Sequence, residues 1–260
     1  MSDTPGSIEV SRDGAVGRIV IAHVARHNAI GPEMARLLAQ AVADFSADDS
    51  VRVLAVTGAG SKAFVSGADI GRLGENEAGG GAESAVRAAI NALRACPKPS
   101  VALIRGICYG AGVALALACD LRLATPDSAF SIPAVRLALA YPPEFTRWLV
   151  EVVCVARAKE FLLTGRRYDT KEALAMGLVH KLTPGATFAE ETGDYCRHLA
   201  AHAPLAMQAN KRIVEEVANG LAPADAALCA RLTDTCAASG DHLEGRRAFI
   251  EKRAPRFTGR

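Results

Sequence analysis

The chain has 260 residues, of which 50% are hydrophobic, and a formal net charge of +2 at pH 7. This length allows one large buried core, and the nearly balanced charge argues against a protein that binds nucleic acid or lies on an anionic membrane. No apolar stretch approaches the ~20 residues that a membrane-spanning helix requires. The N-terminal residues lack a secretory signal pattern, so we expect no membrane contact.

The seven cysteines bear on the compartment. They are odd in number, widely spaced and mostly inside apolar patterns, and none forms a Cys-x-x-Cys pair. Buried free thiols explain this usage better than disulfides or a zinc site. We therefore expect a cytoplasmic protein without a bound metal.

Predicted strands and helices alternate along the first part of the chain. A hairpin opens it, and a helix with Pro32 in its first turn follows. Including the hairpin, apolar runs predict strands at residues 8–10, 17–22, 51–57, 100–104, 121–124, 129–132 and 179–182, and helices at residues 85–95, 113–119, 144–163 and 171–176. Residues 71–84 are polar and rich in glycine, which indicates a mobile loop.

Beyond Pro184 the sequence predicts only helices, at residues 188–203, 204–218, 222–238 and 245–253. Strand–helix alternation followed by a helical tail indicates an α/β core with a C-terminal helical region. We place the core at residues 1–195 and the helical region at residues 196–260. The amphipathic pattern of the tail predicts that it packs on a neighbouring subunit.

Two glycine-containing turns, at residues 63–70 and 105–113, each follow a buried strand. Gly67, Gly110 and Gly112 let the backbone approach a ligand closely and leave N–H groups free to point at it. The second turn leads straight into an apolar helix, whose N-terminus favours developing negative charge. We interpret the two turns as backbone donors that meet at one oxygen atom.

Three other motifs fit less well. Residues 58–63 match Gly-x-Gly-x-x-Ala, but a dinucleotide-binding fingerprint must open a helix, and here extended chain follows. His198 and His202 are one helical turn apart, but no further ligands complete a metal site, which favours solvent-facing histidines. No Gly-x-Ser-x-Gly motif supports a serine hydrolase.

Several segments resemble the crotonase (enoyl-CoA hydratase/isomerase) family, in order, from about residue 8 to residue 260. They are residues 63–70 (Ala-Phe-Val-Ser-Gly-Ala-Asp-Ile), 106–120, 130–133 (Phe-Ser-Ile-Pro), 158–165, 172–179 and 252–260. The resemblance implies a repeated ββα spiral core and a C-terminal helical region that forms a homotrimer or a dimer of trimers. It also implies an acyl-coenzyme A thioester substrate, with no other cofactor.

The resemblance also assigns residues to the substrate. Ala68 and Ala111 match the two residues whose backbone N–H groups bind the thioester oxygen. Arg26 lies near the position of a basic residue that contacts the phosphates of coenzyme A. Phe257 and Arg260 resemble the C-terminal aromatic and basic residues that touch coenzyme A. The full set of implied substrate-binding residues is Arg26, Ser66, Asp69, Ile70, Gly112, Pro133, Phe257 and Arg260.

The sequence departs from the family pattern at both proton-transfer positions. Hydratases of the family add water with two glutamates, and the corresponding residues here are Ala114 and Ala134. Because alanine cannot transfer a proton, we do not expect hydration by the usual mechanism, nor isomerisation with the second position as base. Tyr141 and Glu144 are the candidates for acid/base or orienting roles, although Glu144 also suits the first turn of a helix.

Three hypotheses remain open from the sequence. The first is an enzyme that stabilises a thioester enolate and uses acid/base residues of its own. The second is a non-catalytic paralogue that binds acyl-coenzyme A or serves as an assembly subunit, which the two alanines favour. The third is RNA binding, for which a net charge of +2 gives little support.

Overall fold

The structure, a computed structural model, describes residues 6–69 and 81–260. Ile70 and most of the predicted loop at residues 71–84 lie outside the described residues. The strands are β1 (Ser7–Asp13), β2 (Val16–Ala22), β3 (Val53–Gly58), β4 (Ala63–Val65), β5 (Ser100–Ile104), β6 (Ile107–Tyr109), β7 (Leu121–Ala124), β8 (Ala129–Ser131), β9 (Tyr168–Asp169) and β10 (Lys181–Leu182). The helices are α1 (Pro32–Ala47), α2 (Gly81–Ala95), α3 (Ala111–Ala118), α4 (Pro143–Thr164), α5 (Thr170–Ala175), α6 (Phe188–Ala200), α7 (Pro204–Ala218), α8 (Pro223–Ala237) and α9 (Gly240–Glu251).

The strands form two sheets, and the chain passes back and forth between them. The larger sheet has the order β1-β2-β3-β5-β7-β10, and the smaller has the order β4-β6-β8-β9. From β3 to β8 successive strands alternate between the two sheets, and within each sheet these strands run parallel. Every residue of β3 and β5 is buried, as expected for parallel strands that are covered on both faces. This alternation confirms the predicted α/β spiral.

Three short strands were not predicted. The strands β4, β6 and β9 have only two or three residues each, too few to show an alternating pattern. The strand β6 lies inside the second glycine turn, so that segment is two sharp bends around a strand rather than one turn. Its bends fall at Gly106 and Gly110, both at positive φ, and α3 follows at once.

The helix α3 lies within the core. All of its residues from Gly112 to Ala118 are buried, and none is polar. A helix that is apolar on every face has no side suited to water, and α3 packs against α2, α4, β4 and β6. The core thereby fixes the position of the helix N-terminus.

The C-terminal helices begin against the larger sheet. Phe188 and Cys196 of α6 pack with Val53 and Leu103 of that sheet. The predicted boundary between residues 195 and 196 falls inside α6. Within the described part of the chain no helix is long and apolar enough to cross a membrane.

A buried lysine fastens α7 to the core. The ammonium group of Lys211, whose side chain is 9% exposed, lies 2.9 Å from Oδ2 of Asp120. It also donates to the carbonyl oxygen of Lys98 at 3.2 Å. The same Asp120 oxygen accepts hydrogen bonds from the backbone and side chain of Ser100. Lys211 therefore joins the helical region, through Asp120, to the first residue of β5.

We expect Lys211→Met to lower the free energy of unfolding by about 1–3 kcal/mol, because a largely buried carboxylate loses its charged donor. Urea unfolding measures the change. Lys171→Met, which removes the same charge from an exposed position, is the control and should change it by less than ~0.5 kcal/mol. Equal effects of the two variants would contradict the assigned role of Lys211.

Candidate functional site

The first glycine turn is fixed by a short parallel bridge to the segment before α1. The N–H of Ile30 donates to the carbonyl oxygen of Gly67 at 2.9 Å, and the N–H of Asp69 donates to that of Ile30 at 3.0 Å. Gly67 has a φ of 136°, which L-residues rarely adopt. Ala68 lies between these two hydrogen bonds, and its own N–H donates to no described residue.

The second turn ends at the N-terminus of α3. Gly110 is the N-cap residue, with φ 52° and ψ −112°, and Ala111 is the first residue of the helix. Within the described residues the N–H of Ala111 has no acceptor, as is usual in the first turn of a helix. The two turns meet, because a methyl group on Gly110 would lie only 3.9 Å from Cα of Gly67.

Gly112 lets α3 approach the smaller sheet closely. A Cβ atom at this position would lie 2.1 Å from the carbonyl oxygen of Val65 in β4, far inside van der Waals contact. No side chain larger than a hydrogen atom fits there unless the backbone moves. Gly112 therefore sets the spacing between Ala111 and the first turn.

Ala68 and Ala111 line one cavity of about 190 Å³. Its walls are mainly apolar, and one of them is formed by residues 132–134, 137 and 139–142. Ser66 and Pro133 also line it. The apolar part of the lining includes Val86, Ile132, Leu137, Leu139 and Phe145.

The two positions at which hydratases of the family have glutamates are alanines here, and neither can transfer a proton. Ala134 lines the cavity, and Ala114 is fully buried in α3. No carboxylate belongs to the cavity lining within the described residues, and Arg87 is its one charged side chain there. Glu144 does not line the cavity but is paired with Arg87, with its Oε1 atom 3.4 Å from Nε of the arginine.

Tyr141 lies at the junction of the cavity wall and α3. Its hydroxyl donates to the carbonyl oxygen of Gly110 at 3.1 Å, and its ring packs on Phe145. Burial raises the pKa of Tyr141 above its usual range. The phenol is therefore protonated at neutral pH.

Arg26, Ser66 and Asp69 lie together beside the first turn. Nη1 of Arg26 is 3.1 Å from Oδ1 of the buried Asp69, and the Ser66 hydroxyl donates to the carbonyl oxygen of Arg26 at 3.2 Å. The structure thus brings three of the implied substrate-binding residues to one place. Ile70, the next residue of that set, lies outside the described part.

A second cavity, of about 420 Å³, lies next to Arg26 between residues 24–28 and residues 59–63. The amide of Asn28 donates to the carbonyl oxygens of Ala59 and Ala63 at 3.0 and 2.8 Å, which holds the two segments together. Lys62 and His27 line this cavity, and both are exposed. The sequence does not indicate that these two residues line one cavity, because their proximity depends on the Asn28 contacts.

Phe257 and Arg260 lie away from these cavities. Nη2 of Arg52 donates to the carbonyl oxygen of Phe257 at 2.7 Å, next to the first residue of β3. The cavity residues follow the other end of β3, a strand of about 20 Å at ~3.3 Å per residue. The carbonyl oxygen of Arg260 accepts from the N–H of Asp241 in α9, so both residues belong to the C-terminal helical region.

Comparisons with known proteins find similar proteins both by structure and by sequence. An enoyl-CoA hydratase from Bacillus anthracis superposes with a TM-score of 0.91 at 29% identity, over 98% of this chain and 100% of that chain. An enoyl-CoA hydratase/carnithine racemase from Magnetospirillum magneticum superposes with a TM-score of 0.90 at 32% identity, over 99% and 97%.

A provisionally named enoyl-CoA hydratase of Thermus thermophilus is 35% identical over 256 residues, which cover 94% of this chain and 98% of the relative. The sequence profile of the family described as enoyl-CoA hydratase/isomerase matches residues 11–260. With the two-sheet spiral and the paired turns already described, these matches extend over nearly the whole chain. The chain belongs to the enoyl-CoA hydratase/isomerase (crotonase) family.

Proposed function

We propose that the chain binds an acyl-coenzyme A thioester and stabilises its enolate, with the thioester oxygen between the N–H groups of Ala68 and Ala111. The observation that carries this proposal is that both N–H groups lack acceptors among the described residues and line one cavity. Oriented N–H donors stabilise an oxyanion where its charge develops. The N-terminus of α3 adds a favourable field at the same point.

The nucleotide end of the substrate suits the second cavity. The ammonium group of Lys62 and the ring of His27 line this cavity and offer partners for phosphate groups. Arg26, which is paired with Asp69, is adjacent to His27 in the chain and adds a further cation at this end. Ser66 and Asp69 would then follow the pantetheine chain, while Pro133 contacts the acyl group and Gly112 keeps the donor turn in place. No further cofactor is needed for this chemistry.

The proton-transfer step is assigned to residues other than those at the usual positions. Hydration by a pair of glutamates has no support here, because the two positions are Ala114 and Ala134. Glu144 is connected to the cavity through its ion pair with Arg87, and Tyr141 reaches the donor turn directly. These two are the candidates for acid/base or orienting roles.

A non-catalytic acyl-coenzyme A-binding protein is the second candidate. It is favoured by the same two alanines, since a site that keeps the oxygen-binding half and lacks the usual carboxylates can hold a thioester without turning it over. Both proposed functions require binding of an acyl-coenzyme A thioester. They differ on whether C2 of the bound thioester loses its proton.

We also propose a trimer-based assembly. Leu243, Phe249 and Ile250 of α9 expose most of their side chains, which is typical of surfaces that associate. Phe257 and Arg260 lie near the start of β3, at the opposite end of the strand from the cavity of Ala68 and Ala111 and from the cavity of Lys62, so they would reach the coenzyme A of a neighbouring subunit. Native mass spectrometry tests the subunit number.

The function is tested by incubating the protein with a panel of acyl-coenzyme A thioesters in D₂O and analysing them by mass spectrometry. We expect at least one thioester to gain deuterium at C2 or to be converted. The thioester loses a C2 proton when the enolate forms, and C2 takes up a deuteron from the solvent when the thioester is regenerated. Glu144→Gln should slow this reaction if Glu144 transfers the proton. Calorimetry of the same panel measures binding.

Two results would decide against the enzyme. Absence of binding to every thioester would contradict the whole proposal. Tight binding without exchange or conversion of any thioester would establish the non-catalytic alternative. An inactive preparation is recognised by its thermal unfolding, which must be cooperative before the panel is interpreted.

A further inference from the structure

One peptide unit carries both the Gly110 carbonyl and the N–H of Ala111. Because a peptide is planar, the direction of its carbonyl fixes the direction of its N–H. The ψ of Gly110 is −112° at a φ of 52°, and glycine has several other conformations open to it. The orientation of the proposed oxyanion donor therefore depends on what holds the Gly110 carbonyl.

The Gly110 carbonyl oxygen accepts three hydrogen bonds. Two come from the first turn of α3, from the N–H groups of Val113 at 3.1 Å and Ala114 at 3.2 Å. The third comes from the hydroxyl of Tyr141 at 3.1 Å, 31 residues further along the chain. The tyrosine thus ties the donor turn to the opposite wall of the cavity.

We infer that Tyr141 is a positioning residue, whose hydroxyl holds the Gly110–Ala111 peptide so that the Ala111 N–H points into the cavity. Donation to the carbonyl end of a peptide also polarises its N–H, which makes that N–H a stronger donor. This inference rests on the proposed function, because it concerns the same oxygen-binding site.

The geometry favours this role over direct proton transfer. A phenol has one proton, and here it is directed at Gly110 rather than at the space in front of Ala68 and Ala111. The raised pKa of Tyr141, caused by its burial, keeps that proton in place. The phenol also lies against the backbone of Ala114, where relatives have a glutamate.

The test uses acetoacetyl-coenzyme A, whose enolate absorbs in the near ultraviolet. Tyr141→Phe removes the hydroxyl and keeps the ring, so the enolate-to-keto ratio of the bound probe at pH 7 should fall about 2- to 10-fold, the effect of one hydrogen bond. The dissociation constant of coenzyme A itself should not change. Tyr195→Phe, the same change on the distant helix α6, is the control and should leave the ratio as in the wild type.

A second readout needs no ligand. The amide proton of Ala111 should move upfield and exchange faster in Tyr141→Phe, while the amide of Ala68 stays unchanged. A proton-transfer role would not alter the free protein in this way, and a general structural role would alter both amides.

The outcomes separate the inference from the function on which it rests. A wild-type protein that forms the bound enolate, with Tyr141→Phe giving the same ratio and the same Ala111 amide signal, would overturn the inference alone. A wild-type protein that binds the probe without forming enolate would overturn both.

Discussion

Replacing Ala111 by proline is expected to lower the rate of enolate formation about 100- to 1000-fold, the usual effect of losing one oxyanion donor. Proline lacks the N–H, while its fixed φ suits the first residue of a helix. In the described part of the chain, four other α-helices begin with proline, at Pro32, Pro143, Pro204 and Pro223. The free energy of unfolding should therefore change by no more than ~1 kcal/mol.

The measurement is deuterium exchange into the best thioester of the panel, with acetoacetyl-coenzyme A enolate as a second probe. Ala111→Ser is the matched control, because it changes the side chain and keeps the N–H, and it should retain most of the rate. If Ala111→Pro were folded and as active as the wild type, the N–H of Ala111 would not be an oxyanion donor.

The second large effect is expected at Gly112. In an ordinary helix Gly→Ala is stabilising by roughly 0.5–1 kcal/mol. Here the added methyl group would lie 2.1 Å from the Val65 carbonyl oxygen, and overpacking of this kind costs typically about 1–3 kcal/mol. We expect Gly112→Ala to be destabilised by about that amount and to lose affinity for acyl-coenzyme A, since α3 must move away from β4.

Gly185→Ala is the control, because no atom lies within 4 Å of its added Cβ. Urea unfolding and calorimetry with the same thioester compare the two variants. Unchanged stability and binding in Gly112→Ala would show that the approach of α3 to β4 is not needed for the site.

The sequence predicted the fold where its pattern was continuous. The strands β5 (Ser100–Ile104) and β7 (Leu121–Ala124) begin and end at the predicted residues, because each is a short, mostly apolar segment bounded by polar or turn-forming residues. The strands β4, β6 and β9 have no such pattern. They form because a neighbouring strand offers hydrogen bonds, and a sequence does not show which segments become neighbours.

The same distinction applies to the site. The resemblance assigned Ala68 and Ala111 to the thioester oxygen, and the structure brings both residues to one cavity. The hydrogen bond between Tyr141 and Gly110 depends on loops that meet only after folding. The same is true of the cavity that Lys62 and His27 line. A single sequence shows the residue types in such loops but not their contacts.

The burial of α3 has a consequence for the proposed enolate chemistry, because it makes the oxygen-binding point rigid before the substrate arrives. Because its residues from Gly112 to Ala118 are enclosed by apolar neighbours, the helix cannot shift without disturbing the core. An enzyme with such a donor spends no reorganisation energy when the charge on the substrate oxygen develops. Adaptation to different acyl groups must then occur in the cavity walls, while the oxygen-binding point stays as rigid as the core itself.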